Sequence, residues 1–296
     1  MKELFGWDRP ERNIVEKYVD KCKLFSESDI HFDNFRQDSD YKIVLEGGER
    51  IVGDIHLNHI METYGIDSIK KHLDRFKEND IYGNPTIMNF QEIGDICPNT
   101  ILYINHLLDI QKMLVDFSPK KIVEIGGGFG ALCKTISVFY DFDEYILIDL
   151  PEVLCLCRKY LNHFPEIKDK ITYMTCEEAQ KNIEIEDLDL FIAVGSLSEC
   201  NFETQMKYVD IMINSVFGFL IYTTTHVPVF NEYLICIYEE TEDVLDRKIT
   251  YKDFNIPFIE FSKKTHYDMA KHQNEKIERF ERYMSRIQSI GKKYPI

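Results

Sequence analysis

The stretch Lys120–Ile136, KKIVEIGGGFGALCKTI, constrains this chain more than any other. An apolar run suited to a strand carries a single carboxylate, Glu124. It then opens into Gly126, Gly127, Gly128 and Gly130 and becomes helical. A lone charge in an apolar strand is expensive unless something faces it. Glycines in that number let the backbone turn sharply and approach a ligand with no Cβ in the way. From Lys121 onward, apolar β-rich runs (KIVEIG, YILIDL, ITYMT, LDLFIAVG, GFLIYTTT) alternate with helical ones (ALCKTISVFY, PEVLCLCRKYLNHF, CEEAQKNI, NFETQMKYVDIMINSV). Continuous apolar strands alternating with helices predict an α/β fold, a mostly parallel Rossmann-like sheet with helices on both faces.

The residues before Lys121 read differently, as helices and loops. DRPERNIVEKYVDKCKLF opens with Asp8 as an expected N-cap and Pro10 in the first turn. IDSIKKHLDRF predicts a second helix. CPNTILYINHLLDIQKMLVDF predicts a third, begun by Pro98 and closed by Pro119. LEGGERIVGD and NDIYGNPT read as turns. Beyond the fifth strand come a helical piece, FNEYLICIYEET, two strands near KITYK and IPFIEF, and a charged terminal helix. The expected division is a helical cap or substrate segment at 1–118, the sheet domain at 119–265 and a helical tail at 266–296. That tail would support a homodimer or cover the pocket.

A formal net charge of −16 argues against a partner bound through a phosphate backbone, so no nucleic acid is expected. SIKKHLDRFK, the most basic segment, reads as a solvated helix face. No apolar run reaches the length of a membrane span, and MKELFGWDRPERN lacks the apolar core of a signal peptide, so a cytoplasmic protein is expected. The eight cysteines form no CxxC pair, and Cys155 and Cys157 read as small apolar residues of a helix. His56 and His59 are a helical i,i+3 pair with no third ligand motif nearby, so no metal is expected.

In an open α/β sheet, ligands sit beyond the carboxyl ends of the strands, which places the glycine turn in the pocket. Two cofactors compete for it. Gly126-x-Gly128-x-x-Ala131 satisfies the dinucleotide fingerprint in its Gly/Ala form, with Asp149 at the spacing of a ribose ligand. Glu124, however, would repel a pyrophosphate held over the turn and would favour the cationic ammonium and sulfonium of S-adenosylmethionine.

At these residues the chain resembles a known superfamily. VEIGGGFG is similar to the first motif of class I S-adenosylmethionine-dependent methyltransferases, and YILIDLPEVLCLCRKYL to their second strand and following helix. NDIYGNP (79–85), CPNTILYINHLLDI (97–110) and SLSEC (196–200) resemble, in order, segments of the sugar O-methyltransferases: a Gly-Asn-Pro, a Pro-x-Thr-x-x-Tyr helix start and a Ser-x-Ser-Glu after the fourth strand. The likeness runs from about residue 30 to 240. Ile101 and Leu102 depart from the usual Leu-Arg, and Cys200 from the usual Met.

The resemblance implies S-adenosylmethionine as cofactor, S-adenosylhomocysteine as product, and a sugar, nucleotide-sugar or glycan hydroxyl as acceptor. Glu124 and Gly126, Gly127, Gly128 and Gly130 would hold the methionine end, Asp149 the ribose, and Leu150, Cys176 and Glu177 the adenine side. Ser196 would border the cofactor. Ser198 and Asn84 would face the acceptor, Arg36 and Tyr103 the acceptor or the cofactor carboxylate, with Glu199 or His226 as general base. The alternatives are methyl transfer to another small molecule, a cofactor-binding partner without turnover, and a nicotinamide oxidoreductase.

Overall fold

The computed structural model describes residues 11–46, 48–182, 188–197, 200, 202–213, 215–221, 245–252 and 256–263. Expectations for Asp8, Pro10, the piece FNEYLICIYEET and the terminal helix lie outside them. The chain forms two compact units, each assembled from separate stretches. One comprises 1–9, 121–126 and 180–296; the other 10–120 and 127–179.

The second unit opens with helix α1 (Glu11–Glu27). Its buried residues Tyr18, Val19, Cys22 and Phe25 recur at helical spacing and form one apolar stripe. Short helices α2 (Asp29–Phe32) and α3 (Ser39–Lys42) follow, the latter capped by Asp38, whose carboxylate accepts from the amides of Asp40 and Tyr41. Helix α4 (Arg50–Thr63) begins inside the segment read from sequence as a turn. Gly53 is not punctuation there: a Cβ at this position would overlap the Phe90 ring, so the glycine serves close packing.

IDSIKKHLDRF, expected as one helix, is divided into α5 (Asp67–Lys70) and α6 (Leu73–Lys77). His72, at ψ 5°, leaves the helical region and meets Phe139 edge-on at 5.1 Å. A hairpin, β1 (Met88–Phe90) with β2 (Gly94–Ile96), leads to α7 (Pro98–Leu114). Pro98 starts α7 as expected. Asp80 completes its N-terminus from a distance, its carboxylate accepting from the Cys97 amide at 2.9 Å and the Thr100 hydroxyl at 2.6 Å. The helix ends at Val115, φ 53°, short of Pro119. After the glycine turn, this unit holds α8 (Ala131–Ile136), β4 (Glu144–Ile148), α9 (Pro151–Leu161), β5 (Ile171–Met174) and the start of α10 (Cys176–Asn182). Strands β4 and β5 pair in parallel, Leu147 opposite Tyr173.

The first unit contains β3 (Lys121–Ile125), β6 (Leu188–Val194), α11 (Phe202–Ile213), β7 (Ser215–Ile221), β8 (Leu245–Lys252) and β9 (Ile256–Lys263). Strand β3 runs parallel to β6, and β6 parallel to β7; β9 pairs antiparallel with β7, and β8 antiparallel with β9. Leu188, Leu190, Phe191, Ile192 and Ala193 are all fully buried, as a strand covered on both faces requires. Five strands thus lie in parallel ladders and alternate with helices, following a helical N-terminal region in the chain. This is the expected α/β class, with each of the seven anticipated strands present.

Candidate functional site

The chain passes from one unit to the other inside the glycine turn, between Gly126 and Gly127. Three of its glycines adopt left-handed angles: Gly126 at φ 78°, Gly128 at 55° and Gly130 at 95°. Only glycine holds such a succession without strain.

On the first unit's side, Glu124 lies in β3 opposite Ile192, only 3% exposed. A Cβ on Gly126 would overlap the Ser196 side chain, and the Ser196 hydroxyl donates to the carbonyl of Ile125. Ser196 therefore locks the end of β3 to the loop after β6. That loop continues with Gly195 at φ 77°, and the Gln205 amide group donates to the Cys200 carbonyl at 2.8 Å. Ser198, Glu199 and His226 lie outside the described residues.

On the second unit's side, Asp149 follows β4. Its two carboxylate oxygens divide their work: one accepts from the Leu150 amide at 2.7 Å, the other from the Gly128 amide at 3.1 Å. The structure gives the N-cap position of α9 to Leu150 and ties Asp149 to the glycine turn instead. Burial pushes its carboxyl up to about 6, against the lowering effect of the two amides. Tyr18 and Cys22 of α1 are among its electrostatic neighbours. Leu45 covers Gly128, with Cδ1 2.9 Å from where a Cβ would stand.

At Cys176 and Glu177, Cys176 is buried and Glu177 exposed. The start of α10 is a capping box: the Thr175 amide donates to the Glu178 carboxylate at 2.7 Å, and the Glu178 amide to the Thr175 hydroxyl at 3.3 Å. The T-x-x-E spacing carried that signal in the sequence, and it leaves Glu177 outside the capping pair.

Arg36 departs from its expected place facing an acceptor or the cofactor carboxylate. It is wholly buried, its Nε donating to Glu46 at 2.6 Å, one terminal nitrogen to the Asn79 carbonyl at 2.8 Å, the other to Cys97 Sγ at 3.3 Å. A guanidinium so enclosed is an internal fastening. Sequence reasoning missed it because Glu46, Asn79 and Cys97 lie far apart along the chain. Asn84, φ 54°, is exposed; its amide donates to Asn34 at 3.0 Å and its carbonyl accepts from Gln37 at 2.6 Å. Tyr103 is half-buried on α7. His56 and His59 face α7: His56 meets His106 at 6.1 Å between ring centres, and His59 lies 3.8 Å from Asp109. Among the described residues no three His, Cys, Asp or Glu side chains are grouped to hold a metal ion. None of the described helices is long and apolar enough to cross a membrane.

Parallel strands alternating with helices, a glycine turn after the first long strand and a carboxylate just after the next are features of the expected Rossmann-like α/β fold class. Residues 88–194 match the model of a family described as the O-methyltransferase domain. No curated protein matches the chain. Solved structures similar to it include the N-methyltransferase NodS from Bradyrhizobium japonicum, complexed with S-adenosylhomocysteine (12% identity, 54% of this chain and 86% of that one, TM-score 0.40). The pyocyanin biosynthetic protein PhzM is also similar (12% identity, 77% and 73% covered, TM-score 0.42). A third is TrmK from M. capricolum with S-adenosylhomocysteine (16% identity, 56% and 73% covered, TM-score 0.37). None of these likenesses bears on what this chain acts on.

Proposed function

We propose that the chain transfers a methyl group from S-adenosylmethionine to a sugar hydroxyl, free, nucleotide-linked or within a glycan. The observation carrying the cofactor half is the Asp149 carboxylate, tied to the Gly128 amide at 3.1 Å. Its remaining lone pairs suit two ribose hydroxyls, and the turn it braces is bare of side chains at three left-handed positions. Glu124, Gly126, Gly127, Gly128 and Gly130 hold the methionine end. Leu150, Cys176, Glu177 and Ser196 flank the adenosine. A nicotinamide dinucleotide fits less well, because its pyrophosphate would lie over a turn preceded by the buried Glu124.

The sugar half rests on three short segments: Gly83-Asn84-Pro85, the helix start at Pro98–Tyr103, and Ser196–Cys200. Two of them have defined local structure. Gly83 and Asn84 form a left-handed pair, and Pro98 opens α7. Asn84, Tyr103 and Ser198 are the acceptor-side residues, in keeping with a helical substrate segment spanning 1–118. Glu199 or His226 takes the hydroxyl proton.

When bound, the cofactor supplies a methyl group activated by its sulfonium. The chain's own task is to hold the attacking oxygen in line and to receive one proton. Alignment contributes about 7–11 kcal/mol. A general base contributes a factor of ~10²–10⁴, roughly 3–5 kcal/mol. Placement therefore dominates, and neither Glu199→Gln nor His226→Ala alone abolishes turnover.

The test has two stages. Calorimetric titration with S-adenosylhomocysteine, S-adenosylmethionine and NAD should show binding of the two adenosyl ligands only. NAD binding alone would overturn the cofactor assignment. Labelled methyl transfer is then screened over sugars, nucleotide sugars, phenols and amines. Label on a sugar oxygen is the expected result; label confined to phenols or amines keeps the enzyme class and discards the sugar.

A further inference from the structure

The residues below the glycine turn form a second, interior construction that the transfer reaction itself does not use. Arg36 is its centre. Glu46, also buried, accepts from its Nε at 2.6 Å, and Asp80 lies 3.8 Å from one terminal nitrogen. The guanidinium stands 4.9 Å over the ring of Phe129, the residue between Gly128 and Gly130. The same guanidinium holds the Asn79 carbonyl. Asn79 in turn donates from its side chain to the Thr135 hydroxyl at 2.7 Å and accepts from the Tyr160 hydroxyl at 2.8 Å. Thr135 lies on α8, the helix that leaves the glycine turn, and Tyr160 on α9, the helix that follows Asp149. Tyr160 also meets Phe129 edge-on at 4.9 Å between centres.

The cluster thus touches the turn at Phe129, the helix after it at Thr135, and the helix after the ribose carboxylate at Tyr160. A buried ion pair is a poor source of net stability, because desolvating the charges offsets their attraction. Its fork geometry, by contrast, fixes directions well. Two carboxylates share one guanidinium here, and burial raises the pKa of both Glu46 and Asp80. That arrangement is expensive for a core whose only task is to exclude water.

We propose that Arg36, held by Glu46, is a positioning residue for the cofactor: it sets the glycine turn through Phe129 and the two flanking helices through Asn79. The proposal rests on the assignment of the glycine turn and Asp149 to the adenosyl cofactor. Arg36 itself touches no ligand. Its effect is read in cofactor affinity, at temperatures where the variants are folded.

The experiment is a double-mutant cycle on the full chain. Dissociation constants for S-adenosylhomocysteine are measured calorimetrically for wild type, Arg36→Lys, Phe129→Leu and the double variant, with folding verified by circular dichroism. Arg36→Lys keeps the charge but loses the fork and should raise Kd by about 10-fold or more. Phe129→Leu should do the same, and the double variant should fall well short of the product of the two effects. A Kd unchanged within about two-fold in folded Arg36→Lys overturns the proposal, as do two effects that simply multiply. If Arg36→Lys does not fold, Arg36→Met with Glu46→Gln replaces it, since that pair removes both partners of the 2.6 Å ion pair and leaves Asp80 its bonds from Cys97 and Thr100.

Wild-type hydrogen exchange supplies a test free of variants. The Arg36 amide, bonded to the Gly83 carbonyl at 3.0 Å, and the Cys97 amide, bonded to Asp80, should exchange more slowly once S-adenosylhomocysteine is added. Unaltered exchange at both overturns the proposal. Wild type that binds no S-adenosylhomocysteine would instead sink the cofactor assignment, and this proposal with it. Binding by wild type together with indifferent variants sinks this proposal alone.

Discussion

Asp149 carries a pH dependence whose sign follows from its surroundings. Burial raises its carboxyl to about 6, so the free protein holds a proton there more firmly than the unfolded chain does. Its contribution to folding therefore declines as pH rises from the ordinary carboxylate range near ~4 toward about 6. In the proposed complex, ribose hydroxyls would donate to the ionised form, which gives binding the opposite trend. Below about 6, Kd for S-adenosylhomocysteine should increase by up to ~10-fold per pH unit, and above neutrality this group should add no slope. Asp149→Asn should remove the step and weaken binding by roughly 10–100-fold, the worth of hydrogen bonds to a charged acceptor. Titrations between about pH 5 and 8 check both; a step that persists in Asp149→Asn would assign it to another group. At this scale the sequence was readable wherever a residue's neighbours in space are also its neighbours in the chain. Asp149 follows an apolar strand at ribose-ligand spacing from the glycine turn, and that local context marked it. Arg36 had no such context, because its partners come from three separate segments.

Glycines show the same limit at the level of elements. Gly126, Gly128 and Gly130 could be read as a turn because they cluster after an apolar strand, and all three are left-handed. Gly53 was read in the same way, yet it lies inside α4 against Phe90, a contact no local pattern announces. In an exposed helix Gly→Ala gains about 1 kcal/mol. Here Gly53→Ala should instead destabilise by roughly 1–3 kcal/mol, since the added methyl overpacks the Phe90 ring. A denaturant midpoint higher than wild type would contradict that packing. Val115 offers the reverse case. It ends α7 at φ 53° and ψ −110°, exposed, with a β-branched side chain that such angles do not suit. Val115→Gly should relieve about 1 kcal/mol and raise the melting temperature by a few degrees. Pro119, which the sequence suggested as the terminator of α7, should tolerate replacement by Ala with a smaller change in stability than Val115→Gly produces.

At the scale of the whole molecule, the one shift in sequence pattern falls at Lys121, whereas the two compact units interleave along the chain, 121–126 joining the residues after 180. Pattern is read along the chain and carries little record of such interleaving. Net charge is also a property of the whole chain, and it does predict behaviour. A formal charge of −16 gives the chain a field that repels anions at long range. A nucleotide sugar, with its two phosphates, must approach against that field; a free sugar or neutral glycan need not. Screening shortens the reach of the field from about 30 Å at 0.01 M salt to about 8 Å at 0.15 M. For a nucleotide-linked acceptor, kcat/KM should therefore rise with added salt across that range, while a neutral acceptor should give a flat profile. If kcat/KM for the nucleotide sugar fell instead, counterion-sensitive attraction at a local basic site would be outweighing the overall charge. The profile would then identify the natural acceptor as anionic, and a charge-reversal scan of lysines in the N-terminal helical segment would locate the site that receives it.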